Sequence, residues 1–135
     1  MTRLAIIDYG SGNVRSASRA LESAAAGAGI TLQTDLTDDP DRIRRADRIV
    51  LPGVGHFADC AAGLIAREGV IDALTEAVFR KGVPFLGVCV GMQILFAHGV
   101  EFGVDSRGAA LWPGSVTRLD APVIPHMGWN DVDAA

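Results

Sequence analysis

Cys89 stands between two glycines in the run Gly87-Val88-Cys89-Val90-Gly91-Met92-Gln93, directly after the apolar stretch Val83-Pro84-Phe85-Leu86. A strand that stops at a nucleophile, with glycine two residues to either side and a helical pattern beyond, is a strand–turn–helix elbow. Cysteine here takes the place more often held by serine. The turn is sharp, so its flanking residues must be small, and it lifts the thiol above the sheet edge at the start of the next helix. The helix dipole and free N–H groups there favour a thiolate, and the same N–H groups can stabilise an oxyanion. A cysteine between glycines at the end of an apolar strand can also be a small buried hydrophobe. The full string, taken with the motifs below, favours the elbow.

Leu51-Pro52-Gly53-Val54-Gly55 permits unusual backbone angles and close approach of a substrate. Its N–H groups could join that of Val90 in an oxyanion hole. A cysteine hydrolase also needs a base. The histidines are His56, His98 and His126, and none is followed two residues later by an acid. His56 borders the Pro52–Gly55 loop and could approach Cys89, although a surface or helix-start histidine is the plainer reading. His98 reads as a helix-end residue and Cys60 as packing. Gly10 and Gly12 invite a nucleotide-loop reading, but Arg15 holds the third position of G-x-G-x-x-G and no Walker lysine follows. A tight turn accounts for them.

The elements that must position these residues alternate. Leu4–Asp8 is a short apolar run that reads as a buried strand, followed by a turn over Tyr9–Asn13. Val14, Ala17, Leu21 and Ala24 recur at helical spacing up to about Ala26, where Gly27 and Gly29 stop the pattern. Ile30–Thr34 alternates like a strand, Pro40 opens a short helix, and Arg48–Leu51 is a third strand. Helices are expected from Phe57 to about Arg67 and from Val70 to Arg80, and the Cys89 strand follows. Beyond Gln93 the helix is expected to run to about His98. Glu101–Gly114 reads as a glycine-rich loop, Ser115–Leu119 as a strand and Val123–Asn130 as an extended segment. Four strands separated by helices predict a parallel sheet covered on both faces, a three-layer α/β sandwich. The Tyr9–Asn13, Pro52–Gly55 and Cys89 segments would then meet at the carboxyl ends of the strands.

The 135 residues suit one domain over 1–135, and 49% hydrophobic with 21% charged residues is a globular composition. A net charge of -4, with Arg42–Arg45 diluted by Asp41 and Asp47, argues against nucleic acid as a partner. Two cysteines make no disulfide framework, so a reducing, cytoplasmic setting is expected. No apolar run is long enough for a membrane span, and Met1–Leu4 lacks signal-peptide architecture. No metal-ligand cluster or cofactor motif is visible.

Four strings together resemble the class I glutamine amidotransferases: Asp8-Tyr9-Gly10-Ser11-Gly12-Asn13, Leu51–Phe57, Gly87–Gln93 and Pro125-His126-Met127-Gly128-Trp129-Asn130. P-G-V-G-H-F and P-H-M-G-W-N narrow the likeness to the glutaminase subunits of imidazole glycerol phosphate synthases. The resemblance implies a flavodoxin-like class I glutamine amidotransferase fold, incomplete at the C-terminus. It implies Cys89 as nucleophile on the amide of glutamine, and an oxyanion hole from the Val90 N–H and a peptide N–H of Gly53-Val54. Gly55 and Gln93 would help hold glutamine. Asn13, Pro125, His126, Met127, Trp129 and Asn130 would face a (β/α)₈-barrel cyclase subunit in a heterodimer that receives the ammonia. No cofactor is implied.

Family members carry a catalytic His and Glu in an H-x-E motif past the P-H-M-G-W-N segment, and this chain shows none. It is therefore expected to have little glutaminase activity alone and to leave one side of its sheet exposed. The competing readings are a non-catalytic module that docks on the barrel and a different cysteine hydrolase that uses His56 as base.

Overall fold

The computed structural model describes residues 1–134, so Ala135, the last residue of the expected domain, lies outside the description. Leu4, Ala5, Ile6 and Ile7 are all buried, which makes β1 (Thr2–Ile7) the centre of a sheet. β2 (Leu32–Thr37) pairs on one side of it and β3 (Arg48–Leu51) on the other, and β4 (Phe85–Gly87) pairs with β3. All three pairings are parallel and the order is β2-β1-β3-β4. This is a mostly parallel α/β sheet, as the alternating strands and helices predict.

The crossover helices start where the sequence supplies caps. Asn13 accepts from the Ser16 N–H at 3.2 Å and opens α1 (Val14–Gly27). Asp39 accepts from Asp41 N–H at 2.8 Å and precedes Pro40, the first residue of α2 (Pro40–Arg44). A capping side chain satisfies an N–H that the first turn leaves free. The arginines of α2 lie among acids, Arg42 with Asp35 and Asp39 and Arg44 with Asp41 and Glu76, which makes this stretch a solvated, ion-paired face. α3 (Phe57–Ile65) ends earlier than the periodicity suggests. α4 (Val70–Leu74) passes into a π-helical stretch over Thr75–Arg80.

Coverage of the sheet is unequal. On one face Ile7, Ile49 and Leu51 pack with Ile43, Leu64, Val70 and Leu74 into the main core. On the other, Leu4, Ile6 and Val50 pack with Val14, Leu21 and Leu32 in a smaller cluster under α1. The expected cover on both faces is therefore only partly present. Between α1 and β4 lies an open groove of about 420 Å³, and Leu86 on its floor is half exposed.

Past the elbow the expected elements change. α5 is a single turn (Val90–Gln93), and the helix expected to His98 gives way to β5 (Phe96–Glu101). The expected 101–114 loop holds β6 (Val104–Arg107) and the start of β7 (Trp112–Val116). β5 pairs antiparallel with β6 and parallel with β7, forming a second, three-stranded sheet. Gly99 makes its packing possible, because a Cβ there would collide with the ring of Phe57. β2 begins two residues later than expected. The strand expected over 115–119 is displaced toward Trp112, and Val123–Asn130 forms no strand. Among the described residues no helix is long and apolar enough to cross a membrane.

Gly27 offers a stability test. It ends α1 without a positive φ, and a Cβ there meets nothing within 4 Å. Gly27→Ala is expected to raise stability by about 0.5–1 kcal/mol, read from urea midpoints. Gly29 has equally open surroundings but a φ of +70°, so Gly29→Ala should lower stability instead.

Candidate active site

Cys89 leaves β4 with φ 54° and ψ -122°, a left-handed backbone that a non-glycine residue holds only when the surroundings enforce it. The neighbours do enforce it. Val88 N–H donates to Leu51 O at 2.9 Å, and the Cys89 carbonyl accepts from Met92 N–H at 3.0 Å and Gln93 N–H at 3.3 Å. Both flanking glycines are required sterically. A Cβ on Gly87 would lie 2.8 Å from Met92 Cα, and one on Gly91 would collide with Leu51 O and lie 2.8 Å from the carbonyl carbon of Pro52. The thiol of Cys89 is exposed, whereas Cys60 is fully buried. α5 is only one turn long, so what it brings to the thiol is a few free N–H groups more than a macrodipole. Among the described residues Val90 N–H makes no hydrogen bond, and neither does Gly53 N–H.

The Pro52–Gly55 loop lies against this elbow. A Cβ on Gly53 would collide with Gly91 N and come within 2.9 Å of both Val90 C and Tyr9 Oη, so only glycine permits the approach. Tyr9 Oη donates to Pro52 O at 2.6 Å, and Gly12 packs on Pro52. The three strand-end segments expected to meet do meet. Gly55 has φ +89° with open space where a Cβ would stand, and the Val54 side chain beside it is 64% exposed. Gln93 closes α5 and is half-buried.

Val54 departs from the sequence expectation in one respect. Its N–H is donated to Ser11 Oγ at 3.3 Å, and its carbonyl accepts from Ser11 Oγ at 3.1 Å and Cys60 Sγ at 3.2 Å. In this conformation the Val54 peptide is tied to the polar cluster beneath the loop, so of the three expected donors Val90 and Gly53 are the ones without an acceptor among the described residues. Tyr9, Ser11 and Cys60 form that cluster, with Ser11 Oγ 3.0 Å from Cys60 Sγ. Burial first, then the neighbouring Cys60, pushes the Tyr9 phenol well above its usual pKa, so it stays a proton donor. A raised phenol pKa stabilises the fold below the unfolded value of about 10 and loses that contribution as the pH climbs past it. Tyr9→Phe should cost about 1–2 kcal/mol at neutral pH by orphaning the Pro52 carbonyl, and should flatten the alkaline loss. Urea titrations at pH 7 and above pH 10 check both.

His56 does not reach Cys89 by any hydrogen bond among the described residues. Its Nδ1 lies 3.6 Å from Glu101 Oε2, and its ring meets Phe102 edge-on. Glu101 Oε2 also accepts from Phe57 N–H at 2.9 Å, so this carboxylate caps α3 where no neighbouring side chain does. His98 pairs with Asp105 at 3.1 Å, on β5 and not at a helix end. Asn13 is spent as the α1 cap. His126, Met127, Trp129 and Asn130 are exposed, with Trp129 fully so, and the Ile124–Pro125 peptide is cis. Among the described residues no three His, Cys, Asp or Glu side chains are grouped to hold a metal ion. Ser11 and Glu101 act on partners more than forty residues away and Cys60 on the loop peptide six residues before it, so no local pattern in the sequence points to a functional role for them.

The glutamine amidotransferase class-I family matches residues 5–131. The chain is similar to the imidazole glycerol phosphate synthase subunit HisH of Mycobacterium bovis, 55% identical over 132 residues, covering 96% of this chain and 59% of that protein. The subunit of the same name from Nocardia farcinica is 54% identical over 99% of this chain and 61% of its own length. That from Rhizobium meliloti is 52% identical over 97% and 62%. The chain thus spans about three fifths of the length of these relatives.

Proposed function

The chain belongs to the class-I glutamine amidotransferase family, and from that premise we propose that it carries the nucleophile and oxyanion-stabilising part of a glutaminase. The single observation behind this reading is the strained, exposed Cys89 beside the uncommitted N–H of Val90, with Gly53 packed against the same turn. The thiolate adds to the side-chain amide carbon of glutamine. The oxyanion that develops accepts from Val90 N–H and from the Gly53-Val54 loop. If Val54 is the loop donor, its amide must first leave Ser11. In the collapse of the tetrahedral intermediate the C–N bond breaks as the amide nitrogen takes up a proton, so ammonia leaves and a glutamyl thioester remains on Cys89. Water then releases glutamate and restores the thiol. Gly55 supplies space for the substrate and Gln93 a polar contact. Proton transfer belongs to the H-x-E motif that the family resemblance implies.

The names of the relatives, with what the sequence resemblance implies, extend the proposal. Ammonia made here would pass to a cyclase subunit with a (β/α)₈ barrel, forming imidazole glycerol phosphate in the histidine pathway of the cytoplasm. Met127 and Trp129, both exposed, would be the apolar anchors of such an interface, with Pro125, His126, Asn130 and Asn13 as its further contacts. Their exposure also favours the second reading, a module that docks without chemistry. Mixing the chain with the cyclase subunit and titrating glutamine against iodoacetamide tests both. Complex formation with glutamine-protected Cys89 supports the glutaminase. Complex formation without protection leaves the docking module.

A further inference from the structure

Phe102 is 85% exposed and sits at φ 51°. It is the first residue of the two-residue turn Phe102-Gly103 that joins β5 to β6, where Glu101 pairs with Val104. Hairpin turns with a left-handed first position favour Asn, Asp or Gly, and a bulky side chain there is strained. An exposed ring gains little from the core in return. The ring is nevertheless held, edge-on to His56, with centroids 5.5 Å apart and planes at 68°. His56 follows Gly55, and Glu101 at the base of the same turn accepts from Phe57 N–H. The turn is therefore fastened to the loop whose other end touches the elbow through Gly53. Backbone strain that survives beside a candidate site, at a ring that buries almost none of its surface, points to a functional demand.

We propose that Phe102 is a specificity-determining wall of the substrate pocket. In this reading the ring, held against His56 next to Gly55 in the chain, closes the outer side of the space over Gly55. There the ring covers the methylenes between the amide and the α-carbon of bound glutamine. A site lined by backbone N–H groups at the amide still needs apolar surface for those methylenes, and Val54 and Phe102 are the exposed apolar side chains flanking Gly55 and His56. This rests on the glutaminase reading.

The test compares wild type, Phe102→Asn and Phe102→Tyr by thermal unfolding and by the glutamine concentration that half-protects Cys89 from iodoacetamide. Phe102→Asn should relieve the turn and raise Tm by about 2–5 °C. It should also raise the half-protecting concentration on the order of ten-fold. Phe102→Tyr keeps the ring and should match wild type in both. A Phe102→Asn protein that is more stable yet protected at the wild-type concentration overturns the proposal. So does one that is less stable than wild type, since the ring would then serve the fold. Absence of protection in wild type at any glutamine concentration overturns the glutaminase reading, and is recognised because no substitution is involved.

Discussion

On the proposed function, and in an assembly whose glutaminase subunit also carries the H-x-E motif, Cys89→Ser is expected to lower glutamine-dependent product formation by at least about a thousand-fold, while synthesis from added ammonium salt continues unchanged. A serine hydroxyl fits the elbow, so φ 54° at this position and the bonds from Val88, Met92 and Gln93 should survive. What is lost is nucleophilicity. A thiol near neutral pH already holds a fraction as thiolate, whereas a hydroxyl needs a strong base at the moment of attack. Retention of the ammonia-dependent reaction separates loss of the nucleophile from loss of the partner contact. Equal loss of both would place Cys89 in the assembly interface instead.

Gly91→Ala is expected to cost more stability than any other single methyl addition to the elbow, at least about 4 kcal/mol, or to prevent folding. The added Cβ would be driven into the Leu51 carbonyl oxygen and against the Pro52 peptide, both of which are backbone and cannot rotate away. Gly55→Ala provides the contrast. It adds the same methyl into open space and pays only for a positive φ, about 1–2 kcal/mol. Urea unfolding of the two variants measures the difference. Similar costs for both would mean that the loop yields and that the elbow is not sterically locked to Pro52–Gly55.

The parts of the site that could be read from the sequence are those set by contacts a few residues long. Glycines two positions either side of Cys89 report a steric condition within one turn. Asn13 and Asp39-Pro40 mark helix starts through hydrogen bonds to the next few N–H groups. The meeting of Tyr9–Asn13, Pro52–Gly55 and Cys89 follows from the parallel β–α alternation. The parts that could not be read depend on distant partners. Phe96–Glu101 continues an apolar run that suits a helix, and becomes a strand because Val104–Arg107 and Trp112–Val116 pair with it. β6 itself, Val-Asp-Ser-Arg, carries no apolar alternation. The hold of Ser11 and Cys60 on the Val54 peptide crosses 43 residues in one case and 6 in the other, and neither side chain is a functional type in its local context. Glu101 capping α3 spans 44 residues. Conversely, the reach of His56 toward Cys89 was suggested by sequence proximity to the loop, whereas the structure turns its ring to Glu101 and Phe102.

The most direct test of Cys89 as the nucleophile of a glutamine site is labelling with a glutamine analogue that carries an electrophilic diazoketone in place of the amide, followed by peptide mass mapping with and without excess glutamine. The account predicts one adduct, on Cys89, formed more slowly when glutamine is present, with Cys60 unmodified. Labelling of Cys60, or a Cys89 adduct whose rate is indifferent to glutamine, would contradict it.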